Sequence, residues 1–329
     1  MGRTSEQDSR VMLVTVAICT FNRAVSLGRT LDSLTAIQVP SDITWELVIV
    51  NNNSTDHTDD VIREYSDRLP IRREFEPRPG KSNALNRAID VAKGDYILWT
   101  DDDVVVDAGW LRAYVDAFRR CPEAAVFGGR IVPRYEPPVA RWVLESEDST
   151  FCVYAIRNFG DNVQPLSIAE DRLPFGANYA IRAAEQRAFR YDPNLGPVPH
   201  RHRRNEETDV ITRLLKSGAT GYWIPNAVVE HCIGRERQTV RYIADFFVGD
   251  GETYAFQHAD TTAATPFLFG IPRRVWPRLI VWGSLYHLHR LVSPAPIWVR
   301  YLRRYAHSRG LYRYWRQQRL MSKPEFTRF

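Results

Sequence analysis

Cysteine is scarce in this 329-residue chain: Cys19, Cys121, Cys152 and Cys232 lie far apart and form no CxxC pair. That spacing argues against a zinc site and a disulfide framework, and fits a reducing compartment. Long apolar runs are missing as well. No stretch approaches the roughly 18 consecutive apolar residues of a spanning helix, so no membrane span is expected. Residues 1–10 are polar and mixed in charge, without the apolar segment of a secretory leader, so no signal peptide is expected. No GxGxxG follows the first apolar run and no GxxxxGK(S/T) is present, which argues against a dinucleotide cofactor and rules out a P-loop. Acid is nearly absent from one end: over 271–329, Glu325 stands alone among many arginines, so the net charge of +5 belongs to the tail.

What is present is enough for a full core. At 44% hydrophobic and 25% charged, the chain reads as one large domain, or a domain plus an extension. The run 11–20 is uniformly apolar and β-branched, the pattern of a strand buried on both faces. A helical pattern through Leu27, Leu31 and Leu34 follows. Residues 45–50 repeat the strand pattern and run into Asn51, Asn52, Asn53 and Ser54, with Ser54 and Asp56 suited to cap the next helix. A short strand is expected at 72–75, then a loop at 77–82 and a helix at 83–93 ended by Gly94. Strand and helix alternate at short spacing, so the N-terminal part is expected to be a parallel, doubly wound α/β sheet.

At 96–107 an apolar run, Tyr96-Ile-Leu-Trp-Thr, ends in Asp101, Asp102 and Asp103 before Val104-Val-Val resumes. Three adjacent carboxylates repel one another unless something neutralises them. A divalent cation, Mg²⁺ or Mn²⁺, shared with a substrate diphosphate would do so; a solvated acidic turn is the alternative. The polar ends after Thr20 and Val50 fall on the same sheet edge, where open α/β sheets bind ligands. Downstream, strands are expected at 124–132, with Gly128 and Gly129 allowing close backbone approach, and at 173–181. Two more are expected, at 222–225 and 227–231. The acids at 206–209 head a helix whose dipole favours them. Residues 133–171 show no clear periodicity.

In this order, the segments 14–23, 46–56, 80–86, 96–103, 175–178 and 206–218 resemble the family 2 glycosyltransferases, inverting enzymes of the GT-A fold. The resemblance spans about residues 12–232. It implies a GT-A catalytic domain over 11–234 with a mostly parallel doubly wound sheet; from 235 the resemblance fades, and 235–329 reads from its own residues as a basic, aromatic-rich helical extension. It implies an inverting, metal-assisted transfer from a nucleotide-diphospho-sugar to a glycan or lipid-linked glycan. Asp101 then faces the ribose and, with Asp103, the metal; Asp102 supports them. Thr20, Phe21, Asn22, Arg23, Asn51, Asn53, Lys81 and Asn86 fall on donor-binding positions. Asn51 departs from the Asp that most relatives carry there, which leaves the choice of base open. Relatives take the acceptor proton with the second acid of a pair at a helix start, here Glu207 after Glu206, where Glu replaces Asp. Gly176, Ala177 and Asn178 match the acceptor-side loop, and His231 the position of a third metal ligand. The cations of 200–204 suit a lid over the diphosphate or a solvated basic loop.

In the tail, Val275, Leu279, Trp282, Tyr286 and Leu291 repeat at helical spacing among arginines, as do Trp298, Tyr301, Leu302 and Tyr305. Such helices suit the surface of an anionic bilayer. They equally suit packing on the domain, or single-stranded nucleic acid. The first is favoured, which places the protein in the cytoplasm against the inner face of the membrane; nucleic acid is not an expected partner, because the cations cluster outside the crevice. Against the transferase reading stands a catalytically inactive GT-A-like module that binds nucleotide or glycan. The intact acids at 101, 103, 206 and 207 speak against it.

Overall fold

The computed structural model describes residues 11–198 and 203–321. In chain order, the first half runs β1 (Met12–Thr20), α1 (Ala24–Leu34), β2 (Ile43–Asn51), α2 (Thr58–Glu64), β3 (Ile71–Phe75), α3 (Lys81–Val91), β4 (Tyr96–Thr100), β5 (Val104–Val106) and α4 (Trp110–Arg120). Then follow β6 (Val126–Tyr135), the short helices α5 (Arg141–Glu145) and α6 (Glu147–Thr150), β7 (Gln164–Pro165), β8 (Asn178–Arg182), α7 (Ala183–Ala188), α8 (Glu206–Lys216) and β9 (Gly221–Ile233). The tail adds α9 (Val240–Gln257), α10 (Ala259–Ala263), the hairpin β10 (Phe267–Leu268) and β11 (Ile271–Pro272), α11 (Val275–Val292) and α12 (Ala295–Met321).

Among the described residues one nine-stranded sheet dominates, in the order β3-β2-β1-β4-β8-β6-β9-β5, with β7 also on β9. Its first four strands are parallel, as the alternation of strand and helix implies. Alternation along the strands divides the core. Val14, Val16 and Ile18 pack with Leu27, Leu31, Trp110 and Phe118 on one face. Ala17, Val48 and Val50 pack with Leu85, Ile89, Val210 and Leu214 on the other. β8 inserts antiparallel between β4 and β6.

Three elements differ from the sequence expectation. The run 173–181 is strand only from Asn178; ahead of it Pro174 presses on Gly128, where a Cβ would stand 2.6 Å from the proline ring. The runs 222–225 and 227–231 form one strand that crosses Pro225 at an irregularity in its pairing with β6, where a missing proline N–H costs no ladder bond. The aromatic stripe of the tail turns inward: Tyr286, Trp298 and Leu302 are buried with Val143, Tyr154, Ile243 and Phe247 in a third core, with Tyr301 and Tyr305 against it. Each ring buries more apolar area in that contact than an aliphatic residue would, so the aromatics go inside.

Candidate active site

The parallel strands end together. Thr20 is in register with Asn51, and Ile18 with Thr100, so the loop carrying Asp101, Asp102 and Asp103 emerges beside the end of β1. Thr20 Oγ1 donates to Asp102 Oδ2 at 2.7 Å. The Arg23 guanidinium bridges Asp102 Oδ1 at 2.9 Å and Asp103 Oδ2 at 2.7 Å. Burial pushes the Asp102 carboxyl up to about 6; Arg23 opposes the shift and the neighbouring Asp103 adds to it.

Asp103 sits in a second ring of charge. Arg237, from the turn 235–237 after β9, donates to its Oδ2 at 2.6 Å and to His231 Nε2 at 3.0 Å. His231 Nδ1 meets the Tyr154 carbonyl at 2.5 Å, so Nδ1 carries the proton and Nε2 points inward. Nε2 lies 3.5 Å from Asp103 Oδ1, a buried oxygen with no hydrogen-bond partner. Burial alone would raise the Asp103 carboxyl; His231, Arg237 and Arg23 outweigh it and hold the group well below the usual carboxylate range.

A third cluster faces this pair across the crevice. Lys81, first residue of α3, donates to Asp101 Oδ1 at 3.0 Å and lies 3.5 Å from Glu206 Oε1. Burial alone would lower the Lys81 pKa, but the carboxylates of Asp101, Glu206 and Glu207 raise it well above the ordinary value. Glu206 and Glu207 are the first two residues of α8, aimed by Asn205 in the left-handed conformation at φ 70°. Glu206 is buried; Glu207 reaches Gly176, where a Cβ would stand 3.4 Å from the Glu207 carboxyl carbon and 3.5 Å from Lys81 Nζ. Burial, then the charge of Glu206, push the Glu207 carboxyl up to about 7, with Lys81 opposing. These residues line a narrow recess of about 10 Å³ together with Cys19, Leu85, Trp99 and Tyr179.

The structure sorts the residues singled out in the sequence. Thr20, Arg23, Lys81, 101–103, Gly176, Glu206 and Glu207 converge on the crevice. Phe21 stands half-exposed beside it. Asn22 and Asn53 hold positive φ in neighbouring turns; Asn22 Oδ1 accepts from Thr55 N, and its own N–H donates to Ser54 Oγ. Asn51 accepts from Ser54 N and donates to Asp59, so its amide mainly shapes that turn. Two expectations are corrected. Asn86 is bonded on both sides of its amide to the Tyr191 backbone, at 2.9 and 3.0 Å, and fastens α3 to the 191 loop instead of reaching a donor. Asn178 is fully buried: it accepts from Trp110 Nε1 and Tyr114 Oη and donates to the Arg130 and Ala227 carbonyls. Ala177 is buried too, so Gly176 alone of that trio faces the crevice.

The suggested metal trio is divided. Among the described residues no three His, Cys, Asp or Glu side chains are grouped to hold a metal ion. Lys81 holds Asp101 on one side, while Asp103 and His231 meet on the other. Residues 200–202 of the suggested lid lie outside the described residues; Arg203 stacks on Phe256 at 4.0 Å and Arg204 on Phe246 at 4.3 Å. Arg237 was not legible as a site residue, since it lies beyond the 234/235 boundary that the sequence suggests. The signal for it was slight: two arginines immediately after a strand that ends near the acids. Cys19 and Trp99 were legible in principle, because strand alternation places both on the α3 side.

Residues 15–178 match the model of the glycosyl transferase family 2. The chain belongs to that family. As a family member it is a glycosyltransferase. It is 25% identical over 246 residues to the succinoglycan biosynthesis protein ExoM of Rhizobium meliloti, covering 73% of this chain and 74% of that one. It is 26% identical over 215 residues to the glucosyl-dolichyl phosphate glucuronosyltransferase of Haloferax volcanii, covering 62% of this chain and 63% of that one. Among solved structures, a mannosyltransferase of Pyrobaculum calidifontis in complex with GDP-Man and Mn²⁺ superimposes with a TM-score of 0.57 at 18% identity, over 92% of this chain and 87% of that one. S. aureus TarS in complex with UDP-GlcNAc gives 0.52 at 14% identity, over 97% and 94%. The fold is GT-A, with C-terminal helices added. No described helix of this family member is long and apolar enough to cross a membrane.

Proposed function

We propose that this glycosyltransferase moves a sugar from a nucleoside-diphosphate sugar to an acceptor hydroxyl with inversion, Glu207 taking the acceptor proton. The observation that carries the reading is the meeting of Glu207, poised near neutrality, with Lys81 and Asp101 in one recess at the strand ends. A general base serves best with a pKa near the working pH. Glu206, more deeply buried and beside Lys81, is the charge that lifts its neighbour. The acceptor oxygen attacks the anomeric carbon as its proton passes to Glu207, and the bond from that carbon to the diphosphate breaks on the opposite face. Arg23, Arg237 and Lys81 are placed to meet the charge left on the nucleoside diphosphate. At about 10 Å³ the recess has room for little more than one water, so it takes only the reacting hydroxyl while the nucleotide lies along Thr20, Phe21 and the turn at 51–54.

The residues fit a divalent cation, Mn²⁺ or Mg²⁺, as the neighbour's Mn²⁺ suggests. The unpartnered Asp103 Oδ1 would supply one donor, His231 Nε2, 3.5 Å from it, a second once Arg237 withdraws the N–H that Nε2 now accepts, and diphosphate oxygens and water the rest. Such an ion acts as a Lewis acid on the leaving group. The printed activities of the relatives support a glycan or a lipid-linked glycan as acceptor.

The test is a binding and hydrolysis screen of UDP-, GDP- and dTDP-sugars with Mn²⁺ and with EDTA, alongside Asp103→Ala. Metal-dependent binding of one donor, lost in the variant, is expected. No nucleotide binding with any metal would sink the transferase reading.

A further inference from the structure

We infer that the outward face of α11, with the 267–269 hairpin at its end, is a docking surface for an anionic lipid bilayer. The inward side of α11 is occupied: Val275 and Tyr286 are buried, and Gly283 lies against the Tyr305 ring of α12. The outward side is apolar and has no partner among the described residues. Leu291 is 84% exposed, Val292 72%, Ile280 68% and Leu288 56%. Positions 277, 280, 281, 284, 288, 291 and 292 recur at the spacing of one helical face. The hairpin continues it, with Phe269 71% exposed and Phe267 and Leu268 both above 40%. Trp276 ties the two together: its Nε1 donates to the Leu268 carbonyl at 3.2 Å, and its ring meets Phe269 edge-on.

Charge selects the occupant. Arg273, Arg274 and Arg278 are exposed along this stretch, and no Asp or Glu occurs between residues 261 and 321. A second copy meeting the same face would set arginine against arginine. Anionic headgroups complement it, and arginine heads beside an aliphatic stripe suit the interfacial layer. The helix is apolar on its buried side and on its exposed one and is not a spanning segment, so it lies in the plane of the surface. The surface stands apart from the catalytic crevice, and its test involves no turnover.

The test is sedimentation of the full chain with vesicles of phosphatidylcholine alone and of phosphatidylcholine with an equal share of phosphatidylglycerol. The doubly substituted variant Leu288→Asp, Leu291→Asp runs alongside. Wild type is expected to pellet with the anionic vesicles, less so as salt rises, and the variant to bind about tenfold or more weakly. Circular dichroism should be unchanged, because both leucines are exposed. Wild type remaining in the supernatant with anionic vesicles overturns the inference, as does equal binding by the variant. A concentration-dependent dimer abolished by the same substitutions, without vesicle binding, assigns the face to a second copy instead.

Discussion

At the scale of single residues, the Glu206–Glu207 pair makes the sharpest chemical prediction. The Glu207 carboxyl is raised to about 7 by burial and by Glu206, so as a base it works only once ionised. Activity at low donor concentration should therefore rise with pH through about 7. Glu206→Gln removes the like charge, and the rising limb should move toward acid by about one unit. Glu207→Gln should lower turnover by roughly 10²–10⁴-fold with donor binding intact, as read by kinetics and calorimetric titration of the nucleotide. A profile that is flat between pH 5 and 8 sinks the assignment. Asn178 makes a stability prediction. Asn178→Ala leaves the buried Trp110 N–H and Tyr114 O–H without their acceptor, which should cost roughly 3 kcal/mol in denaturant unfolding. Asp101 to Asp103 stood out in the sequence because three adjacent carboxylates at the end of a buried strand repel one another; Glu206 and Glu207, which a helix dipole alone would favour, stood out only through the family resemblance. The asparagines misled: an amide that can bind a ligand can equally pin backbone, and Asn86 and Asn178 do the latter. Only tertiary contacts distinguish the two uses.

At the scale of elements, the parallel strands and α3 were readable from apolar runs and their punctuation, since burial on both faces leaves a strong pattern. The segment 133–171 was not. Its helices α5 and α6 are five and four residues long, too short to show a period, and Val143 and Tyr154 are buried in a core shared with the tail. The crossing of α9 and α12 was equally hidden. Gly251 and Gly310 face each other there: a Cβ on Gly251 would stand 2.1 Å from the His307 carbonyl oxygen, and one on Gly310 2.1 Å from that of Val248. Backbone cannot move aside as a side chain can, so the helices must separate. Gly310→Ala should destabilise by about 1–3 kcal/mol despite its better helix propensity. A thermal melt at or above that of wild type would show that the close crossing is dispensable.

At the scale of the whole molecule, the strand order brings 20–23, 51–54 and 101–103 to one edge, and that much follows from alternation and right-handed crossovers. What it leaves out is how the tail reaches the catalytic helix. Arg204 N donates to Thr253 Oγ1 at 2.8 Å, and Thr253 is fully buried in α9. Arg203 stacks on Phe256 of α9 and, at 5.5 Å, on Tyr314 of α12. The approach to α8 is thus fixed by the extension, while the proposed donor residues Thr20, Arg23 and 101–103 stand on the sheet edge. Thr253→Val keeps the side-chain shape, removes the acceptor and frees that approach, so the carboxylate of Glu207 loses its fixed position. A shift of about 1 Å in a catalytic group can cost on the order of 10²-fold. Turnover should therefore fall roughly ten- to a hundredfold while the nucleotide dissociation constant stays within about twofold of wild type. Parallel loss of turnover and nucleotide affinity would mean that the substitution loosens the whole domain. Unchanged turnover with a lower melting temperature would make the tail a structural support alone, with no hold on the position of the base.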